Sequence, residues 1–131
     1  MSIKRLGTLA MSTGLAAGLA VMLTPSPAGA AQSCRDRTHS ISGAYVEFTM
    51  CWDGLGTGAD YYLQDTARDS RRAEIWVKTP RNGTQGEEVD EATGGQWDSV
   101  VGDFYTLDSS GVYIKVCTSD ANTNRVCSAW L

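Results

Sequence analysis

The sequence predicts an all-β domain over residues 31–131, a small antiparallel β-sandwich of the immunoglobulin-like kind or a small barrel, with five to seven strands. Three observations carry this expectation: period-two alternation in well-separated runs, turn-forming residues between them, and no amphipathic helix of useful length. Short strands at such spacing in about 100 residues fit two packed layers.

In "AYVEFTMCW", Val46, Phe48, Met50 and Trp52 share one face and Tyr45, Glu47, Thr49 and Cys51 the other. That is the pattern of a half-buried strand. "RAEIWVK" repeats it, with Ala73, Ile75 and Val77 against Glu74, Trp76 and Lys78, and "GVYIKVC" sets Val112, Ile114 and Val116 against Tyr113, Lys115 and Cys117. Weaker strand candidates are "DYYLQDTA", "SVVGDFYTL" and "RVCSAWL". The connections "DGLGTGAD", "TPRNGTQGEEVDEATGG", "LDSSG" and "TSDANTN" hold the Gly, Asn, Asp and Ser that supply positive φ or side-chain-capped turns. On this reading Glu87, Glu88, Asp90 and Glu91 belong to a solvated loop.

Residues 1–30 differ in kind. Lys4 and Arg5 precede an apolar run containing Gly14 and Gly18, and small residues at Ala28 and Ala30 follow. Those are the three parts of a secretory signal peptide, with cleavage expected after Ala30. A membrane span needs roughly 20 uninterrupted apolar residues, so the chain is expected to be secreted, extracellular and free of the membrane once cleaved. It would retain nine basic against fifteen acidic residues, a net charge near −6. Phosphate backbones are bound largely through Lys and Arg, which excludes nucleic acid as a default partner.

Cys34, Cys51, Cys117 and Cys127 make an even count in an exported small domain, which reads as two disulfides. Cys51 and Cys117 lie opposite their strands' apolar stripes, so local pairing, Cys34 with Cys51 and Cys117 with Cys127, is favoured over a bridge through the core. Zinc is disfavoured, since no CxxC pair occurs and His39 is the sole histidine. No cofactor or metal is expected.

Opposite charges cluster at 65–74, where Asp65, Asp69 and Glu74 stand among Arg68, Arg71 and Arg72. Strand periodicity on both sides makes this a polar hairpin turn between "YYLQDTA" and "RAEIWVK", with the arginines as a solvated rim. A calcium loop of the DxDxDG type is absent. Nucleophilic catalysis lacks support too, because GxSxG is missing and His39 sits near the mature N-terminus. Small exported bacterial ribonucleases carry a late histidine, and here none follows residue 39. Asn82 in "NGT" fits a glycosylation sequon.

The signal segment, the four cysteines and "DTARDSRRAEIWV" resemble small secreted actinobacterial proteins, largely uncharacterised, in which a D-T-x-x-D-x-R-x-A segment leads into a strand. Asp65, Thr66, Asp69, Arg71 and Ala73 match, while Ser70 stands where glycine is frequent. The resemblance implies a secreted β-rich domain and carries over no catalytic residue.

Function is therefore expected to be non-enzymatic: a monomeric module binding an extracellular protein or glycan through Trp76, Tyr62, Glu74 and Lys78, since aromatics on a sheet face stack on sugars or anchor proteins. The alternative is a small secreted hydrolase using carboxylates such as Asp65 and Glu74, which requires a buried acid with a raised pKa in a cleft.

Overall fold

A computed structural model describes residues 32–131; the expected signal segment, 1–30, lies outside the described residues. Eight strands follow in order: β1 Ser33–Ile41, β2 Ala44–Trp52, β3 Thr57–Asp65, β4 Arg72–Lys78, β5 Glu87–Ala92, β6 Ser99–Thr106, β7 Tyr113–Asp120 and β8 Thr123–Cys127. They form two four-stranded antiparallel sheets, ordered β1-β2-β3-β6 and β5-β4-β7-β8, packed as a sandwich and not closed into a barrel.

Alternation decides which residues meet between the sheets. Val46, Phe48 and Met50 of β2 and Tyr61 and Leu63 of β3 face Ile75 and Val77 of β4 and Ile114 and Val116 of β7, all buried. Burying each large apolar side chain stabilises the fold by about 1.5–3 kcal/mol. One polar link also joins the sheets. Tyr61 lies over Gly102, where a Cβ would collide with its ring, and its hydroxyl donates to Asp90 Oδ2 of β5 (3.0 Å).

The structure corrects several expectations, the first being the strand count, eight where five to seven were expected. Strands β3 and β4 form no hairpin, because they belong to different sheets. A hairpin would set the apolar stripes of β3 and β4 side by side, whereas a crossover sets them face to face, where each covers the other. The crossover is held locally: Asp65 Oδ1 accepts from the Ala67 amide (3.0 Å), Asp69 Oδ1 from the Arg71 amide (3.0 Å), and Ser70 takes φ 58°. Nor are the arginines all a solvated rim. Arg71 donates to the carbonyls of Thr118 and Asn124 and so clamps the β7–β8 turn, and Arg72 pairs with Glu91; Arg68 is exposed.

The acidic run at 87–91, expected as a loop, is strand β5. Its low intrinsic strand preference is overridden by pairing with β4 and by cations opposite its carboxylates. β1 escaped the sequence reading, since "SCRDRTHSI" has no apolar period. As an edge strand it needs none, and its charges discourage further pairing. The turn in "TSDANTN" is also tighter than expected: only Ala121 and Asn122 separate β7 from β8, both at positive φ as primed hairpin turns require.

The disulfides are Cys34–Cys51 and Cys117–Cys127, each joining residues opposite one another on adjacent strands. Each ties an edge strand, β1 or β8, to its inner neighbour. Replacing Cys117 and Cys127 together by alanine is expected to lower stability by about 3 kcal/mol in the loop-entropy account, read as a lower urea midpoint. An unchanged midpoint would show that the hairpin hydrogen bonds alone hold β8.

Candidate functional site

The outward face of the β5-β4-β7-β8 sheet carries most of the chain's chemistry. Strand phase places Glu74, Trp76 and Lys78 of β4 beside Tyr113 and Lys115 of β7 and Arg125 of β8. Trp130, beyond β8, folds back over the same face because Leu131 exchanges main-chain hydrogen bonds with Ile114 (2.8 and 3.4 Å). Gly86 makes room for it: a Cβ there would meet the indole at 2.7 Å.

Cations and rings alternate across this face. The Lys78 ammonium lies 4.7 Å from the Tyr113 ring centre and 5.1 Å from that of Trp130. Lys115 comes next, 4.3 Å from Trp130 and 5.2 Å from Trp76, and the Arg125 guanidinium sits 4.4 Å over Trp76. Each such contact contributes about 0.5–2 kcal/mol, more as water is excluded. Burial, and then the charge of Arg125, lowers the Lys115 pKa.

Glu74 anchors the row. It is fully buried although it points to the outer face. Its carboxylate accepts from Arg125 Nε (2.6 Å), from Trp76 Nε1 (2.8 Å) and from the Ser119 hydroxyl. Burial alone would raise its pKa, but the hydrogen bonds from Arg125, Ser119 and Trp76 outweigh that effect and hold it below the ordinary value. Glu88 of β5 lies 3.8 Å from Arg125; burial and the neighbouring Glu74 raise its pKa.

Three of the four residues expected at a binding site, Trp76, Glu74 and Lys78, thus lie together, and Tyr62 lies elsewhere. Tyr62 is on the outer face of the other sheet, packed edge-on against Tyr45 with ring centres 6.3 Å apart. Arg125, Lys115 and Trp130 were not anticipated. Lys115 was legible as the outward neighbour of Tyr113, whereas Trp130 reaches the face only through its return along β7.

The two carboxylates of the hydrolase alternative are also apart. Asp65 shares the inward phase of Tyr61 and Leu63, while Glu74 faces outward from the other sheet. They cannot share a proton as an acid–base pair. Burial raises the Asp65 pKa, with the Ala67 amide opposing and Asp69 and Asp98 adding to the rise, and its Oδ2 has no hydrogen-bond partner. Among the described residues no three His, Cys, Asp or Glu side chains are grouped to hold a metal ion. Asn82 fastens its own loop, since its side chain accepts from the Thr79 amide (2.7 Å) and donates to the Val77 carbonyl (2.9 Å).

No protein-family model, curated protein or solved structure matches the chain.

Glu74 and Asp65 should respond to pH in opposite senses. Because the folded-state pKa of Glu74 lies below its ordinary value of 4.5, its contribution is present above that pH and lost as pH falls through the folded value. Thermal midpoints should therefore fall more steeply below about pH 4.5 in the wild type than in Glu74→Gln. Arg125→Met, which leaves the buried carboxylate without its cation, should cost about 3 kcal/mol at pH 7. Parallel pH curves for wild type and Glu74→Gln would refute the assignment.

The Asp65 pKa is raised, so the sign reverses: its ionisation opposes folding at neutral pH, and the penalty disappears as pH falls toward the ordinary value of 3.8. Asp65→Asn is expected to raise the thermal midpoint at pH 7, by an amount that shrinks toward about pH 4. A lower midpoint at pH 7 would mean that the carboxylate is needed for more than its bond to Ala67.

Proposed function

We propose that the protein is a secreted, monomeric, non-enzymatic module that binds an extracellular protein or glycan on the outer face of the β5-β4-β7-β8 sheet. The observation that carries this is the row Tyr113, Lys78, Trp130, Lys115, Trp76 and Arg125, rigid rings and cations held in fixed order on an open sheet surface. Side chains already ordered lose little entropy when a partner arrives. Aromatic and arginine side chains of this kind are those that dominate binding energy at interfaces.

Lys78 and Lys115 pair with rings and, among the described residues, with no carboxylate. Their remaining donors suit acidic or hydroxyl-rich groups of a partner. Secretion is supported by the two disulfides, which persist in oxidising compartments, and by the export pattern of residues 1–30. The likeness of residues 65–73 to small secreted actinobacterial proteins agrees with the same location.

The test is retention of cell-wall and culture-supernatant components of the producing organism on immobilised residues 31–131. Saturable retention of one component is expected, falling about tenfold or more in Trp76→Ala and unchanged in Tyr62→Ala on the opposite sheet. Equal retention by the wild type and Trp76→Ala would sink the proposed face. The hydrolase alternative draws on Asp65 alone, through its burial and raised pKa; turnover in a broad substrate screen that Asp65→Asn abolishes would replace the binding reading.

A further inference from the structure

Two open sheets leave four edge strands, and three of these are blunted. β1 carries Arg35, Asp36 and Arg37, β5 is acidic and breaks register with β4 at Ile75/Trp76, and β8 has only five residues. Such devices keep an edge from templating another strand. β6 differs. It runs eight residues without lysine, arginine or proline, its one charge is Asp103, and it pairs with β3 from Ser99 to Thr106 without a register shift.

The phase of its main-chain groups follows from β3. The Asp65 amide donates to the Asp98 carbonyl (2.9 Å), so Asp65 turns toward β6, and by alternation so do Leu63, Tyr61, Ala59 and Thr57. Val100, Gly102, Phe104 and Thr106 are their partners. The N–H and C=O groups of Val101, Asp103 and Tyr105 therefore face away from the sheet, and among the described residues no main-chain group bonds to them. The side chains at the same three positions stand on the outer face. Val101 is 79% exposed and Tyr105 62%, the Tyr105 ring lying against Gly56 and Gly58, where a Cβ at Gly56 would collide with it. Between them Asp103 sits directly opposite Asp60, and among the described residues neither carboxylate meets a lysine or arginine.

Outward main-chain groups flanked by apolar side chains fit an extended chain that adds to the sheet, its backbone bonding the edge and its alternate side chains giving specificity. Charge narrows the occupant. Apolar residues set against Val101 and Tyr105 leave the position between them opposite Asp103 and near Asp60, where a lysine or arginine is favoured and an acid opposed. A second copy of β6 fits poorly, since matching Val101 to the other copy's Tyr105 brings Asp103 against Asp103. Every strand pair in the fold is antiparallel, the more stable arrangement per residue. We propose that the β6 edge takes up, as an added antiparallel strand, an extended segment of a partner protein with apolar, basic and apolar residues at alternate positions. Trp76 belongs to the other sheet, so this edge stands or falls separately from the face around it.

The blocked heptapeptide Thr-Val-Thr-Lys-Thr-Val-Thr, titrated into isotope-labelled residues 31–131 and followed by amide NMR, tests the edge. Saturable shifts are expected at Val101, Asp103 and Tyr105, with slowed hydrogen exchange at those three amides. Replacing the peptide's lysine by glutamate should weaken binding about fivefold or more, and N-methylation of the lysine amide, which removes a donor to the edge, by a similar factor. Asp103→Lys should reverse the order, binding the glutamate peptide more tightly than the lysine one. Val101→Pro removes an outward N–H that the pairing with β3 does not use; it should abolish binding, while Trp76→Ala should leave it unchanged. The same spectra report whether each variant is folded. Absence of saturable shifts, equal affinity for the lysine, glutamate and N-methylated peptides, or wild-type binding by folded Val101→Pro overturns the proposal. Shifts at these residues on concentrating the protein alone would give the edge to a second copy and overturn it as well.

Discussion

A carboxylate cannot be buried alone, and the outer face of the β5-β4-β7-β8 sheet is arranged around that constraint at Glu74. The residue is on the outward phase of β4, yet it is as inaccessible as the core. It stays ionised because its own strand and the next two supply partners: Trp76 from β4, Ser119 from β7 and Arg125 from β8. Meeting the charge places Arg125 over the Trp76 ring, and the other side chains of the row pack outward from there. One buried charge thereby orders a surface that apolar packing alone would leave mobile.

The core itself is a single apolar seam, and two devices guard its margins. Disulfides fasten the edge strands β1 and β8, which contribute little apolar area of their own. Hydrogen bonds from Arg71 to the Thr118 and Asn124 carbonyls, and from local amides to Asp65 and Asp69, close the end where the chain crosses between sheets. A domain this small buries only about two-thirds of its unfolded surface. Local ties therefore matter more here than in a larger protein.

The sequence made legible what depends on alternation. β2, β4 and β7 and their inward residues follow from period two, and cysteine phase favoured local pairing over a bridge through the core. Features set by tertiary pairing stayed hidden. β5 is a strand because Arg72 and Arg125 meet its acids, and β1 because Cys34 and nine residues of β2 lie alongside it; neither cause shows in the local pattern. The charge cluster at 65–74 misled for a related reason. Turn chemistry is alike in a hairpin and in a crossover, and only the need to oppose two apolar stripes distinguishes them. At the candidate site the outward phase of Glu74, Trp76 and Lys78 was visible, but period two does not say which sheet a strand joins, so Tyr62 was grouped with them.

Charge distinguishes the two outer faces in a way that bears on binding. On the β1-β2-β3-β6 sheet, register sets Asp36, Glu47, Asp60 and Asp103 on the outward side, with Asp60 directly opposite Asp103 and no lysine or arginine among them. Like charges so placed destabilise a sheet slightly, and they repel any acidic partner. Across the molecule the carboxylates Glu74, Glu88 and Glu91 are matched by Arg125 and Arg72, which leaves Lys78 and Lys115 as charges balanced only by rings. In a chain of net negative charge, these two lysines give the face around Trp76 cations that no carboxylate among the described residues pairs with. The same contacts that leave these lysines without carboxylates hold Trp76, Trp130 and Tyr113 in fixed order between them, so charge and ring surface on this face are set by one arrangement.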